Sequence, residues 1–229
     1  MQRILFLDRD GTIVLEPLDY RVDSHEKIVF YPGVFQWLGR IVRELDYQLV
    51  MITNQDGLGT ERLPEERFWP PHQFIIRAFA GEGILFKEEH IDRTFAYENA
   101  PTRKPGTGLL THFMQGGYDL AHSFVIGDRL TDMELAKNLG ARGIWLKQDA
   151  ALGATEIKGP RQELDAVIAL TDNNWESVYR FLKALEPSSA RWRLAKIFLQ
   201  ALREVGKESK FALALAVSRC GSSVGRAKD

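Results

Sequence analysis

Two aspartates, Asp8 and Asp10, stand two residues apart at the end of the apolar run in RILFLDRDGTI, Arg3 to Ile13. Burying unpaired carboxylates is costly unless a cation or hydrogen bonds compensate them, so this placement asks for a site rather than a core. Further along, TNQDG (53–57) supplies a hydroxyl and amides, RKP (103–105) supplies Lys104, and GDRLTD (127–132) supplies Asp128 and Asp132. Asp8, Asp10 and Asp128 are hard oxygen ligands suited to Mg²⁺, which takes few carboxylates and keeps positions open for water and phosphate. Joined to a lysine and a donor loop at 53–55, they are the equipment of phosphoryl transfer, where catalysis is mostly positioning and charge stabilisation.

The elements around these residues explain how they would meet. ILFL (4–7), QLVMIT (48–53), SFVIG (123–127) and RGIWL (142–146) are short apolar runs of strand length, bounded by charges or glycine. Between Gly33 and Asp46, Val34, Trp37, Leu38, Ile41, Val42 and Leu45 recur at helical spacing and form one apolar stripe. A second helix is expected over Leu130 to Leu139, closed by Gly140 as its C-terminal cap. Strands buried on both faces and alternating with helices predict an α/β fold, a Rossmann-like three-layer sandwich with a mostly parallel sheet. In such sheets ligands bind beyond the carboxyl ends of the strands, which is where all three polar clusters fall. The Pro- and aromatic-rich segment ERLPEERFWPPHQF (61–74) either covers the substrate as a small cap or packs Phe68, Trp69 and His72 as satellite core, with packing expected for at least two of the three.

Composition bounds the function classes. The 229 residues, 45% hydrophobic and 27% charged, suffice for one large domain plus an appendage. A net charge of −1 points to no general attraction for nucleic acid or an anionic membrane, and no apolar span reaches membrane length. The single cysteine, Cys220, leaves no internal disulfide and suits a reducing compartment, so a cytoplasmic protein is expected.

DRDGT (8–12), ITNQ (52–55), RKP (103–105) and GDRLTD (127–132), in this order, resemble the four motifs of the haloacid dehalogenase-like phosphatases. More narrowly, LFLDRDGTI, MITNQDGLGT and VIGDRLTDMELAKNLG resemble the histidinol-phosphate phosphatase domain of the bifunctional histidine-biosynthesis proteins, over roughly residues 1–185. The resemblance implies that fold with a minimal cap, and Mg²⁺-dependent hydrolysis of a small phosphorylated metabolite, L-histidinol phosphate first. Asp8 would be the nucleophile that forms an aspartyl-phosphate. Asp10 would protonate the leaving alkoxide and then activate water, for which its carboxyl should be shifted upward by Asp8 and partial burial. Thr53 and Asn54 would hold phosphoryl oxygens, and Lys104 would neutralise charge on the nucleophile and transferring group, with Arg103 beside it on the substrate. Asp128 would bind Mg²⁺ together with the Asp8 carboxylate and the Asp10 carbonyl, while Asp132 orients Lys104 or a metal-bound water. Glu16 would reach an amino group of the substrate, and Gln55 and Asp56 would orient it. Each residue also has a plainer reading: helix caps for Asp128 and Asp132, turns for Asp56, Gly11 and Gly57, solvated surface for Glu16 and Lys104.

The family's Cys/His zinc loop before the motif lysine is missing from HIDRTFAYENAPTRKP (90–105), which holds no cysteine and one histidine. No structural zinc is therefore expected, and Tyr97, proline and backbone contacts should hold the loop. His25, His72, His112 and His122 show no ligand spacing and read as surface or packing. The alternatives are a D-glycero-D-manno-heptose 1,7-bisphosphate phosphatase, disfavoured by DGLG (56–59), and a catalytically idle phosphate-binding or scaffold module, disfavoured by the presence of both Asp8 and Asp10. The phosphatase domain should occupy 1–186. After it, 187–229 reads as an atypical tail, with a basic amphipathic helix over 190–205, an apolar run at 211–217 that would allow a homo-oligomer, and a disordered end; it is either a docking tail or an out-of-frame remnant of a dehydratase domain.

Overall fold

The computed structural model describes residues 1–146 and 154–186; the expectations for 187–229 lie outside them. Met1–Leu185 form one compact unit. Six strands in it make one sheet: β1 (Arg3–Leu7), β2 (Tyr47–Asn54), β3 (Phe86–Asp92), β4 (Phe124–Gly127), β5 (Arg142–Leu146) and β6 (Ile168–Asp172). Their spatial order is β3-β2-β1-β4-β5-β6 and every pairing is parallel. The helices are α1 (Val34–Glu44), α2 (Glu65–Gly81), the single turn α3 (Thr111–Met114), α4 (Leu130–Leu139), α5 (Arg161–Asp165) and α6 (Trp175–Ala184).

The alternation of strand side chains sorts the core into two layers. Leu5, Leu7, Leu49, Met51, Phe124, Ile126, Ile144 and Leu146 pack with α1, α6 and the Ile75–Phe79 end of α2. Ile4, Phe6, Val50, Ile52 and Val125, pointing the other way, pack with Leu110, Phe113 and the Leu135–Leu139 face of α4. Both faces are covered, which is why the central strands are apolar throughout. Gly140 closes α4 at φ 71°, the left-handed conformation expected of a C-terminal cap.

Two strands depart from the expectation. β3 reads FKEEHID and alternates exposed with part-buried positions, and β6 is similarly half-covered; both are sheet edges, where charge replaces the continuous apolar run. The segment 61–74 packs, as expected for at least two of Phe68, Trp69 and His72, and does so as a helix. From Glu65 onward it is the first half of α2, with Phe68 and His72 buried and Trp69 partly so, and Pro70 and Pro71 lie within the helix, withholding two of its N–H donors. It is therefore a packed crossover, and only its first residues, Arg62 and Leu63, reach the cleft described below.

The chain runs from β3 across to β4 on the far side of β1, so the strand order reverses between β1 and β4. The crevice beyond the carboxyl ends of those two strands is where a doubly wound sheet binds its ligand.

Candidate active site

β1 and β4 are held in register, Leu7 opposite Ile126, and Asp8 N donates to Ile126 O at 3.0 Å. That register sets the first residues after each strand, Asp8 and Asp128, side by side at the crevice. Gly11 lets the chain turn there: its φ is +71°, and a Cβ at this position would fall on the Asp128 carboxylate. The loop is braced from beneath by Trp175, whose Nε1 donates to Thr12 O at 3.0 Å, and Trp145 Nε1 donates to Asp128 O at 2.8 Å.

Lys104 enters from the loop after β3 and is almost wholly buried. Its Nζ lies 2.8 Å from Asp8 Oδ2 and 2.7 Å from Asp132 Oδ1. Asp132, in the first turn of α4, also accepts from Arg129 N at 3.0 Å, so one carboxylate both caps the helix and aims the lysine. Asn54 fixes the other end of this lysine: its side chain exchanges hydrogen bonds with the Lys104 backbone, accepting from N at 3.0 Å and donating to O at 3.2 Å.

Asp8, Asp128 and Asp132 bring their carboxylates within 4.8 Å of one another, all buried. Both Asp128 oxygens are buried without a hydrogen-bond partner. Burial, then the neighbouring Asp8 and Asp132, push the Asp128 carboxyl up to about 8, and burial pushes Asp8 up to about 7 against the pull of Lys104. Carboxylates so placed want one more positive charge than Lys104 supplies, and hard oxygens in a crevice suit a small divalent cation.

Asp10 behaves differently from expectation. Burial, the largest single influence, raises its carboxyl, but it is outweighed by Arg9, donating from Nε at 3.0 Å and from Nη2 at 2.8 Å, together with Gln55, a third donor at 2.8 Å, and the charge of Lys104. The net shift is downward, not upward, and Asp10 is ionised in this state. Arg9, which sequence reasoning passed over, is fully buried. It lies over the Phe68 ring and donates to His72 Nδ1 at 3.3 Å, while His72 Nε2 faces Glu89 Oε2 at 3.0 Å. Since arginine only donates, His72 Nδ1 is the acceptor and Nε2–H the donor to Glu89.

A cleft of about 350 Å³ opens above these groups. Thr53, Asn54 and Gln55 line its floor, with Gln55 Nε2 also donating to Thr53 Oγ1 at 2.8 Å. Three of the expected substrate-binding groups reach the cleft already engaged: Gln55 ties Asp10 to Thr53, Arg103 pairs with Asp56 at 2.6 Å and Glu156 at 3.0 Å, and Glu16 takes both its oxygens to Arg129 Nη2, at 2.7 and 2.9 Å. Glu156 and Arg129 were not foreseen as lining residues, because only the fold brings 129 and 156 over 16 and 103. The wall is thus a mesh of paired charges of both signs.

The loop from 93 to 104 is held by Asp92, buried at the end of β3. Its carboxylate accepts from Thr94 N at 2.9 Å, Thr94 Oγ1 at 2.6 Å and Thr102 Oγ1 at 2.6 Å. Tyr97, expected to hold this loop, is instead 77% exposed and stacks on Phe95. Phe95 in turn closes on Gly57, where φ is +72° and a Cβ would collide with its ring.

Fold and site define a haloacid dehalogenase-like phosphatase, and a family model described as HAD-hyrolase-like matches residues 101–170. The chain is 46% identical over 187 residues to the histidine biosynthesis bifunctional protein HisB of Spirosoma linguale and 50% identical over 187 residues to that of Bacteroides fragilis. These matches take in 80% and 81% of this chain but 49% and 48% of those proteins, so the chain spans about half the length of the curated relatives it matches. In fold it is similar to the D,D-heptose 1,7-bisphosphate phosphatase of B. bronchiseptica, with a TM-score of 0.67 at 21% identity, over 81% of this chain and 100% of that one. Over the span they share, the chain is similar to the HisB proteins.

Proposed function

We propose that the chain hydrolyses a phosphate monoester through an aspartyl-phosphate on Asp8, with Mg²⁺ bound by the Asp8 and Asp128 carboxylates and the Asp10 carbonyl, and that its substrate is L-histidinol phosphate. The observation that carries this reading is the buried, unpartnered Asp128 carboxylate beside Asp8 and Lys104. The HisB relatives support the place in histidine biosynthesis, and the B. bronchiseptica structure was obtained with magnesium and phosphate.

When bound, the cation offsets the charge of Asp8 and Asp128 and of the phosphoryl oxygens, and so lowers both raised carboxyls. Lys104 Nζ, held by Asp132, keeps Asp8 ionised and faces the transferring group. Asp8 attacks phosphorus as the bond to the leaving oxygen breaks. Thr53 Oγ1 lies at the cleft floor to hold a phosphoryl oxygen, and Asn54 acts through its hold on the Lys104 backbone. Asp10, ionised at rest, gains affinity for a proton when the dianionic phosphate arrives beside it. It gives that proton to the leaving alkoxide, then takes one from the water that splits the Asp8–phosphate bond. Beyond the phosphate, the wall of mixed charge suits a small polar alcohol carrying a cation, for which Glu16, Asp56 and Glu156 are the lining carboxylates besides Asp8 and Asp10.

Phosphate release is measured from L-histidinol phosphate, heptose 1,7-bisphosphate and an aryl phosphate, each with Mg²⁺ and with chelator. A kcat/KM for histidinol phosphate orders of magnitude above the others, lost on chelation, is expected. Equal slow rates on all three would remove the histidine-pathway assignment and keep the phosphatase. No turnover by the wild-type chain, with ester binding retained, would leave a binding module.

A further inference from the structure

Outside the cleft, one cluster has the chemistry of a metal site that the phosphatase reading does not use. Glu88 and His90 are two apart on β3 and so share a face, and α3 lays His112 over them. The Glu88 Oε2 atom lies 3.0 Å from His90 Nε2 and 2.8 Å from His112 Nε2. The three ligand atoms fall within 4.8 Å of one another. The expectation that His25, His72, His112 and His122 show no ligand spacing did not include His90: 22 positions separate His90 from His112, and the packing of α3 against the edge strand brings the two together.

We propose that Glu88, His90 and His112 bind a borderline divalent ion, Zn²⁺, with solvent completing its coordination. Imidazole nitrogen and carboxylate oxygen are the ligands such ions take, and three protein ligands with an open position is a common zinc arrangement. Ligands at ~2.1 Å from a tetrahedral ion stand roughly 3.4 Å apart, so Glu88 Oε2, at 3.0 Å from His90 Nε2 and 2.8 Å from His112 Nε2, need only move outward slightly from each ring to admit the ion. Each imidazole would present its Nε2 lone pair to the ion with the ring proton on Nδ1. The burial is graded as an entry path requires: the side chains are 17% exposed at His90, 29% at Glu88 and 44% at His112. Phe113 packs on the rings of both histidines and limits their rotation. Lys87, whose Nζ is 3.9 Å from Glu88 Oε1, faces the carboxylate's other oxygen and leaves Oε2 to the histidines.

The position gives the ion a structural task. His90 precedes, and His112 follows, the stretch that presents Arg103 and Lys104 to the cleft. A bound ion would staple the two ends of that stretch together and narrow the states open to it when unfolded.

The test is equilibrium dialysis of the full chain against Zn²⁺ in excess Mg²⁺, which competes for the acidic cleft, together with the visible spectrum of the Co²⁺ form. The wild type is expected to retain one zinc more per chain than the H90A/H112A double variant, and to show histidine-ligated Co²⁺ bands that the variant lacks. H112A alone, altering the most exposed ligand, should weaken retention by tenfold or more with an unchanged far-UV spectrum. Zn²⁺ should raise the melting temperature of the wild type and not of the double variant. Equal zinc in wild type and double variant, no zinc in either, or zinc lost in D128N but kept in the double variant would each overturn the proposal.

Discussion

Replacing Lys104 with methionine separates what this side chain does for folding from what it does for chemistry. Lys104 Nζ serves two carboxylates at once, Asp8 at 2.8 Å and Asp132 at 2.7 Å, with the lysine 2% exposed and Asp132 not at all. Removing one member of a buried ion cluster costs ~3–5 kcal/mol, because the partners are left charged in a poor solvent or must take up protons. Loss of a donor aimed at the developing charge of a transition state costs a further factor of ~10²–10³ in kcat. The two effects are told apart by adding Asp132→Asn, which removes one orphaned charge yet keeps an oxygen to cap Arg129 N. Urea denaturation should show the double variant regaining a large part of the stability lost in Lys104→Met. Phosphate release with saturating Mg²⁺ should stay depressed in both. Activity of Lys104→Met within tenfold of wild type, or a stability loss below about 1 kcal/mol, would refute the view of Lys104 as the counter-charge of the nucleophile.

Gly11→Ala should cost ~1–2 kcal/mol for the left-handed backbone alone, and phosphate release should fall at least a hundredfold because the new methyl displaces Asp128; unchanged Mg²⁺ activation would contradict the packing described. Trp175→Phe keeps the ring but leaves the Thr12 carbonyl without its donor, and a thermal melt should report a loss of ~1–3 kcal/mol. Glu44 is pulled from its ordinary 4.5 to about 2 by hydrogen bonds from Arg40, Lys183 and Tyr179. A depressed carboxyl stabilises above its unfolded pKa and loses that contribution as pH falls through the folded value, so Glu44→Gln should destabilise at pH 7, with the difference shrinking from about pH 4.5 downward and vanishing only below about 2. Because the group is partly exposed and its partners are solvent-facing, the difference at neutral pH should be no more than about 1 kcal/mol, read from denaturation midpoints across that range.

The central half of the sheet was legible because strands buried on both faces must be apolar at every position, and β1, β2, β4 and β5 are. The edge strands were not: β3 spends alternate positions on Lys87, Glu89 and solvent, and its alternation resembles a loop with charges. α2 hid behind Pro70 and Pro71, which argue against a helix unless tertiary packing on Phe68 and Ile75 overrides them. Within the site, Asp8, Asp128, Thr53 and Lys104 were readable from their positions after strands and within a known motif order. The residues that engage Asp10, Arg103 and Glu16 were not. Arg9 looks like a solvated charge between two aspartates, and only the depth of the loop shows that it turns inward. Glu156 and Arg129 carry no local signal, since each acquires its role from a residue more than fifty positions away.

The inward turn of Arg9 couples two regions that sequence treats as separate. Its guanidinium grips the Asp10 carboxylate on one side, and on the other it rests on Phe68 and His72 of the first turns of α2. The same helix begins beside Arg62 and Leu63, which line the cleft. A lineage that remodels this crossover to admit a new alcohol therefore also changes the grip of Arg9 on Asp10. Substrate range and turnover should drift together in such lineages, and a change of preference won at 62–72 would carry a kinetic signature that no residue touching the phosphate explains.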